Sequence, residues 1–257
     1  MDDAEAMPDF ALPPLPARPG RVLVFVAMEA EAAPVVRALG LGPRVDGSHG
    51  AALHEGVRAD MRVTVASPGR DRSNGADRIG PVHAASALAR LLRDPFDLVV
   101  NVGTAGGFES QGLAIADLVV ARETMFHDAR VAIPAYDAIA RARTRLSPDD
   151  DDLVALAAAT GARVGLASTG SSLDATAAEL AHFARTRTLA KDMELAALAV
   201  VCREEGVPLV ALKGVTDLVD HHEPAHEAFL RNLARTTARL AEATPALLAA
   251  LRDRGSR

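Results

Sequence analysis

Runs of apolar residues and segments of helical periodicity alternate along most of the chain. Consecutive apolar residues bounded by Gly, Pro or charged residues are typical of strands buried in a sheet. They predict strands at 21–27, 97–102, 115–121, 163–168 and 208–212, with weaker candidates at 51–55 and 61–66. Apolar residues at helical spacing predict helices at 32–39, 81–92, 147–160, 175–185, from 189 to about 205, and from about 223 to 251. Such alternation, without an internal repeat or linker, predicts one α/β domain.

Prolines mark the first twenty residues. We interpret residues 1–20 as an irregular or disordered leader and residues 21–253 as the domain. The first residues are acidic, whereas a secretory signal begins with basic residues that an apolar run follows. No apolar run approaches the ~20 residues that a membrane span needs. We therefore expect a soluble, cytoplasmic protein with no membrane partner.

Composition narrows the class of protein. Hydrophobic residues make up 49% of the 257 residues and aromatic residues only 3%, so the core must consist mainly of Ala, Val and Leu. The net charge is −6 and no basic cluster is interleaved with aromatic residues, which argues against nucleic acid as the main partner. The single cysteine, Cys202, has no Cys or His partner at metal-ligand spacing and suits a reducing compartment. We expect neither a metal nor an organic cofactor.

Three acidic residues stand at the ends of predicted elements. Glu194 lies on the apolar side of the helix predicted from residue 189, and a buried carboxylate is costly unless it is paired or neutralised. Its alternative role is that of an acid in a first helical turn, which the helix dipole favours. Asp217 follows a strand, and Glu31 follows the first strand, where it could also be a helix-start acid.

Two turns rich in Gly or Ser follow other predicted strands, at 103–107 and 169–173. A Gly-rich turn lets a ligand approach the backbone closely, although a tight turn without a ligand explains it equally well. One ionised carboxylate can take a proton from water while another, kept protonated by burial, donates one. His127 and Asp128 could form a catalytic pair, but neighbours in an extended segment point to opposite faces, which favours a structural or subunit-contact role. The pattern alone predicts a small-molecule α/β enzyme of unknown substrate.

Five segments, in order, resemble the 5′-methylthioadenosine/S-adenosylhomocysteine nucleosidases of the purine/uridine phosphorylase superfamily. They are Val-Ala-Met-Glu-Ala-Glu at 26–31, Asn-Val-Gly-Thr-Ala-Gly-Gly-Phe at 101–108, Ser-Thr-Gly at 168–170, Lys-Asp-Met-Glu at 191–194 and Val-Thr-Asp at 215–217. The likeness runs from about residue 21 to 240 and is closest to the plant-type branch. It implies a single-domain three-layer α/β/α sandwich with a mixed central sheet.

The resemblance also implies roles for individual residues. Glu31 would activate the attacking water, Asp217 would protonate purine N7, and Glu194 would bind the ribose hydroxyls. Met193 would pack on sugar and base, and Met28 and Phe229 would lie towards the 5′-alkylthio group. The implied substrate-binding residues are Met28, Thr104, Ala105, Gly106, Leu173, Lys191, Asp192, Met193, Glu194 and Phe229.

The implied reaction is hydrolysis of the N-glycosidic bond of 5′-methylthioadenosine, with S-adenosylhomocysteine or a related adenosine nucleoside as further substrates. A phosphorylase typically has an arginine where Asn101 stands, and a carboxylate near the nucleophile repels phosphate, so hydrolysis is favoured. A phosphorylase and a catalytically weak purine-nucleoside binding protein stay open as alternatives, the latter because Ser171 replaces an aspartate usual in the family. The resemblance implies a homodimer in which the segment around residues 126–136 reaches the neighbour's pocket.

Overall fold

Eleven strands and seven α-helices alternate along the residues that this computed structural model describes, 10–44 and 51–254. The strands are β1 (Phe10–Ala11), β2 (Arg21–Phe25), β3 (Gly42–Pro43), β4 (Ala52–Arg58), β5 (Met61–Ser67), β6 (Leu98–Gly107), β7 (Leu118–Phe126), β8 (Thr144–Arg145), β9 (Arg163–Thr169), β10 (Thr188–Asp192) and β11 (Leu209–Leu218). The helices are α1 (Glu29–Leu39), α2 (Pro81–Leu91), α3 (Pro134–Arg141), α4 (Asp150–Thr160), α5 (Ala177–Thr186), α6 (Leu195–Glu205) and α7 (Ala225–Asp253). None of these helices is long and apolar enough to cross a lipid bilayer.

Side chains of the central strands alternate between two apolar cores. In β2, Val22 and Val24 pack into one core, whereas Leu23 and Phe25 pack into the other, because successive side chains of a strand point to opposite faces. The first core also contains apolar residues of α1, α4 and α7, and the second contains those of α2 and α6. The sheet is therefore covered on both faces, and the predicted three-layer α/β/α sandwich is confirmed.

The sheet is mixed, and part of it closes on itself. Strands β2, β5, β6 and β11 run parallel, which brings their carboxyl ends to one edge. Strand β7 pairs with β11 and β9, and β10 joins β9 to β6, so β6, β11, β7, β9 and β10 form a closed ring of pairings. This ring and the end of β2 surround the site described below.

Two local predictions were wrong. The Gly-rich segment 103–107 is not a turn, because β6 continues to Gly107 and pairs there with β11. The helix predicted from residue 189 begins only at Leu195. Residues 188–192 instead form β10, which pairs with β9. In both places pairing with distant strands overrides the local pattern.

The segment before β2 contacts the domain. Residues 1–9 lie outside the described part of the chain, but residues 10–20 pack on the domain. Strand β1 pairs with β8, Leu12 and Leu15 are buried, and Arg254 donates a hydrogen bond of 2.8 Å to the Leu15 carbonyl. Contacts with the domain thus begin earlier than the predicted boundary at residue 21.

Candidate functional site

A cavity opens where the carboxyl ends of β2, β6 and β11 meet. Its volume of about 170 Å³ is room for a small organic molecule rather than a few waters. Every site residue predicted from the sequence lines it: Met28, Glu31, Thr104, Ala105, Gly106, Leu173, Lys191, Asp192, Met193, Glu194, Asp217 and Phe229. The lining residues that sequence reasoning did not assign to the site are Ala27, Ile79, Asn101, Gly103, Lys213 and Thr216.

Glu31 stands in the first turn of α1 and is only 3% exposed. Its Oε1 accepts hydrogen bonds from both the backbone N–H and the hydroxyl of Thr104, each at 2.6 Å, and its Oε2 accepts one from the Met28 N–H. Burial raises the pKa of Glu31, and these hydrogen bonds oppose that rise because they favour the ionised form. The result is a carboxylate that is held in place and more basic than usual.

Asp217 is a second buried carboxyl group, near the end of β11. Its Oδ1 accepts a hydrogen bond of 2.8 Å from the Thr216 hydroxyl, whereas its Oδ2 is buried and has no partner among the described residues. Burial raises the pKa of Asp217, which favours its protonated form. An oxygen without a protein partner that carries a proton can donate that proton to a ligand in the cavity.

Glu194 is the third carboxyl group, and it forms the N-cap position of α6. Its Oε1 accepts a hydrogen bond of 2.7 Å from the Gly80 N–H, which ties it to the loop before α2. Burial, reinforced by the nearby Asp192, raises the pKa of Glu194 to about 7. Glu194 therefore precedes α6 and does not lie on the apolar side of a helix as predicted, because the helix begins at Leu195; its side chain is nevertheless buried.

A buried ion pair also lines the cavity. Lys213 Nζ is 2.6 Å from Asp192 Oδ2, and both side chains are almost fully buried. Asp192 also accepts hydrogen bonds from the Leu195 N–H and the Thr169 hydroxyl. Asp192 therefore fixes the start of α6, and with it the position of Glu194.

Apolar side chains line the rest of the cavity. Met28, Met193, Ile79 and Phe229 come from four different segments of the chain. Ile79 and Leu173 are partly open to solvent, at 42% and 39% exposure, which marks the mouth of the cavity. These apolar side chains can contact an aromatic base or an alkyl group. They carry no charge that could bind a charged substituent of the ligand.

Of the residues that sequence reasoning missed, Lys213 gave a usable signal, since a lysine within an apolar strand is costly to bury without a partner. Asn101 donates a hydrogen bond of 3.1 Å from its amide to the Phe25 carbonyl and so connects β6 to β2. Ile79 belongs to a polar loop, and nothing in its local sequence points to a cavity.

His127 and Asp128 lie outside the cavity lining. The His127 ring packs on Gly170, where a methyl group would lie 2.2 Å from Nε2, and burial lowers the pKa of His127 to about 4. Asp128 Oδ2 accepts a hydrogen bond of 2.8 Å from the Ser171 N–H. Both residues thus support the loop that follows β9.

The arrangement suits acid/base chemistry on a small polar ligand with an apolar part. Glu31 accepts three hydrogen bonds that favour its ionised form against the effect of burial, Asp217 is disposed to carry a proton, and Glu194 lines the same cavity. Among residues 10–44 and 51–254, no group of three or more His, Cys, Asp or Glu residues is arranged to hold a metal ion.

Known proteins resemble this chain over most of its length. The family model described as the phosphorylase superfamily matches residues 21–249. The chain is 39% identical to a 5′-methylthioadenosine nucleosidase of Arabidopsis thaliana over 87% of this chain and 84% of the relative. It is 35% identical to a 5′-methylthioadenosine/S-adenosylhomocysteine nucleosidase of the same plant, over 88% and 89%. The solved apo structure of an A. thaliana 5′-methylthioadenosine nucleosidase superposes with a TM-score of 0.85 at 33% identity, covering 91% of this chain and 96% of that one.

Proposed function

Since this chain belongs to the phosphorylase superfamily, and within it to the 5′-methylthioadenosine/S-adenosylhomocysteine nucleosidases, we propose that it hydrolyses the N-glycosidic bond of 5′-methylthioadenosine and releases adenine. The observation that carries the proposal is the convergence of Glu31, Asp217 and Glu194 on one cavity with apolar walls. The ligand is a small purine nucleoside, and the enzyme is an N-glycosyl hydrolase.

Asp217 acts as the general acid. Its proton passes to purine N7 as the bond between C1′ and N9 breaks, so that the electrons of this bond leave with a neutral adenine. The unpartnered Oδ2 and the raised pKa of Asp217 support this role, because both keep a proton available at the base. The sugar is left with oxocarbenium character at C1′.

Glu31 acts as the general base. It takes a proton from a water molecule whose oxygen attacks C1′, which completes 5-methylthioribose. The doubled hydrogen bond from Thr104 supports this role, since it fixes the carboxylate and favours its ionised form. Glu31 then releases its proton to solvent, and Asp217 takes up a proton from solvent.

Glu194 binds the ribose hydroxyls, and Met193 packs on the sugar and base. Gly80 holds one oxygen of Glu194, which leaves the other free to accept from the ribose. Thr104, Ala105 and Gly106 cover the sugar side, and Leu173 and its backbone cover the base. Met28 and Phe229 contact the 5′-alkylthio group. Lys191 and Asp192 support the substrate site from its wall, Lys191 by binding the Leu173 carbonyl and Asp192 by fixing the start of α6.

Hydrolysis is favoured over phosphorolysis by the charges in the cavity. Neither lysine in its lining is free to bind phosphate, because Lys213 pairs with Asp192 and Lys191 binds backbone carbonyls. Asn101 stands where phosphorylases typically carry an arginine. An inorganic phosphate would meet Glu31 instead, and two anions repel each other in a buried site.

The test is the release of adenine, followed by chromatography, from 5′-methylthioadenosine and S-adenosylhomocysteine with and without phosphate. We expect adenine at the same rate in both conditions, and a loss of about 10²–10⁴-fold in kcat for Asp217→Asn. Formation of methylthioribose 1-phosphate only when phosphate is present would replace the proposal with a phosphorylase. Saturable nucleoside binding without turnover between pH 5 and 8 would reduce the protein to a binding module.

We further propose a homodimer formed through the segment around residues 126–136 and the helix α3, which continues it. No residue of this helix is buried, and Ile133, Tyr136 and Ile139 are 55%, 61% and 52% exposed. Large hydrophobic side chains grouped on an exposed helix and its N-cap residue, Ile133, are typical of a contact surface. Sedimentation should give twice the chain mass, and Ile139→Glu should shift it towards the monomer. A wild-type protein that stays monomeric at micromolar concentration contradicts this assembly.

We also propose a cytoplasmic location, supported by the free and buried thiol of Cys202, which suits a reducing compartment. Cell fractionation checks it, and recovery of the protein in a secreted or membrane fraction would contradict it.

A further inference from the structure

Lys191 is buried in the cavity wall, yet its ammonium group is turned to the backbone of a loop. Its Nζ donates one hydrogen bond to the Ser172 carbonyl and another, of 3.0 Å, to the Leu173 carbonyl. The residue is 4% exposed. Burying a cation is costly unless hydrogen bonds replace those it made with water. The two carbonyls therefore stabilise the buried ammonium group of Lys191.

The loop that Lys191 holds is the one that covers the purine side of the cavity. It follows β9 as residues 170–174 and is fixed at three points. The His127 ring packs on Gly170, Asp128 accepts from the Ser171 N–H, and Lys191 binds the next two carbonyls. Leu173, which lines the cavity, therefore depends on Lys191 for its position.

Lys191 also lies across one strand from Asp217. Both residues pair with Gly106 of β6, Lys191 from β10 and Asp217 from β11. Because Gly106 has no side chain, the Asp217 carboxyl group lies over its Cα, with Oδ2 2.9 Å from the place that a methyl group would take. No side chain of β6 thus separates the ammonium from the carboxyl group.

The charge of Lys191 acts on Asp217 across Gly106, over which the Val219 Cγ2 also lies. Lys191 lowers the pKa of Asp217 against the effect of burial, and Asp217 is the acid that most strongly supports the charged form of Lys191. The other charged or titratable groups around Lys191 are Glu179 on α5, Asp174 in the loop, Asp192 on its own strand and His127 at the end of β7. These four groups remain in the variants of Lys191 considered below.

We propose that Lys191 is a positioning residue that links base recognition to base protonation: it clamps the 170–174 loop over the purine, and its charge limits the pH range over which Asp217 holds the catalytic proton. The proposal rests on the proposed function. It gives Lys191 a role through the loop and Asp217 rather than by contact with the substrate. It also explains how the loop is fixed although Ser171 replaces the aspartate usual in the family.

Two variants separate the clamp from the charge. Lys191→Met removes both the clamp and the charge, whereas Asp128→Ala loosens the same loop at Ser171 and keeps the charge of Lys191. We expect KM for 5′-methylthioadenosine to rise about fivefold or more in both variants. Activity is lost at high pH when Asp217 loses its proton, so only Lys191→Met should move this basic limb of the kcat/KM profile, by about one pH unit upwards.

The outcomes are distinct. A basic limb that does not move in Lys191→Met, or that moves equally in Asp128→Ala, overturns the proposal. If Lys191→Met does not fold, Lys191→Arg decides, because it keeps the charge and disturbs the clamp. Its KM should rise with the basic limb unmoved, and a shifted limb overturns the proposal. Wild-type protein that releases no adenine would instead reject the proposed function.

Discussion

Thr104 donates two hydrogen bonds to a single oxygen of Glu31, one from its backbone N–H and one from its hydroxyl, both at 2.6 Å. The two residues are 73 positions apart in the chain and belong to β6 and α1. Their contact fixes an acid of a first helical turn, which the helix dipole alone would favour, in the lining of the cavity.

Thr104→Val keeps the shape of the side chain and removes its hydroxyl. A hydrogen bond to a charged group contributes about 1.5–3 kcal/mol, so kcat should fall roughly 10- to 100-fold. The pKa of Glu31 should rise, and since Glu31 must be ionised to act, the acid limb of the kcat profile should move to higher pH. Thr104→Ser retains the hydroxyl and is the control. Equal profiles for the Val and Ser variants would contradict this reading of the contact.

Gly106→Ala should disable the enzyme without unfolding it. The new methyl group would lie 2.9 Å from Asp217 Oδ2 and 2.5 Å from the Val219 Cγ2, so the catalytic acid must move. A shift of this kind costs about 10²-fold in rate. Gly42→Ala is a matched control, because no atom lies within 4 Å of its added methyl group. Unchanged kcat in Gly106→Ala would show that Asp217 need not lie over this residue.

Glu194 should make the folded state less stable as pH rises. Its pKa is raised from 4.5 to about 7, so between these values the folded state binds more protons than the unfolded state. The free energy of unfolding must then fall with rising pH across this window, by on the order of 3 kcal/mol from this group. Glu194→Gln keeps an acceptor for the Gly80 N–H and removes the titration.

Urea unfolding at pH 5 and pH 8 measures the effect. The Gln variant should match the wild type at pH 5 and exceed its stability at pH 8. Glu205→Gln, an exposed acid at the end of α6, should leave the pH dependence as it is. If the wild type were more stable than the Gln variant at pH 8, the Glu194 carboxylate would stabilise the fold, contrary to this prediction.

Lys213→Met should be strongly destabilising, because it leaves Asp192 buried without its cation. Breaking such a pair costs about 3–5 kcal/mol, and the double variant Lys213→Met/Asp192→Asn should recover part of the loss. Urea unfolding measures the stability of the single and the double variant. Arg62→Met, which breaks an exposed pair with Glu55, should cost less than about 1 kcal/mol. If Lys213→Met lost no more stability than Arg62→Met, the buried pair would not be important for the fold.

The sequence alone predicted the fold class, because strands buried on both faces leave continuous apolar runs and the intervening helices keep their periodicity. Glu31, Asp217 and Glu194 stood out for a similar reason, since a charged residue at the end of an apolar element is locally visible. The resemblance to a family then indicated the substrate class.

Tertiary structure decided what depends on residues far apart in the chain. Strand β6 extends through 103–107 because β11 pairs with it, and residues 188–192 are a strand because β9 lies beside them. Ile79 reaches the cavity from a loop with no local signal. Lys213 pairs with Asp192, and Lys191 binds the carbonyls of the 170–174 loop, only in the folded sheet. The local pattern indicates whether a residue is buried. The packing of the whole sheet determines which residues it contacts.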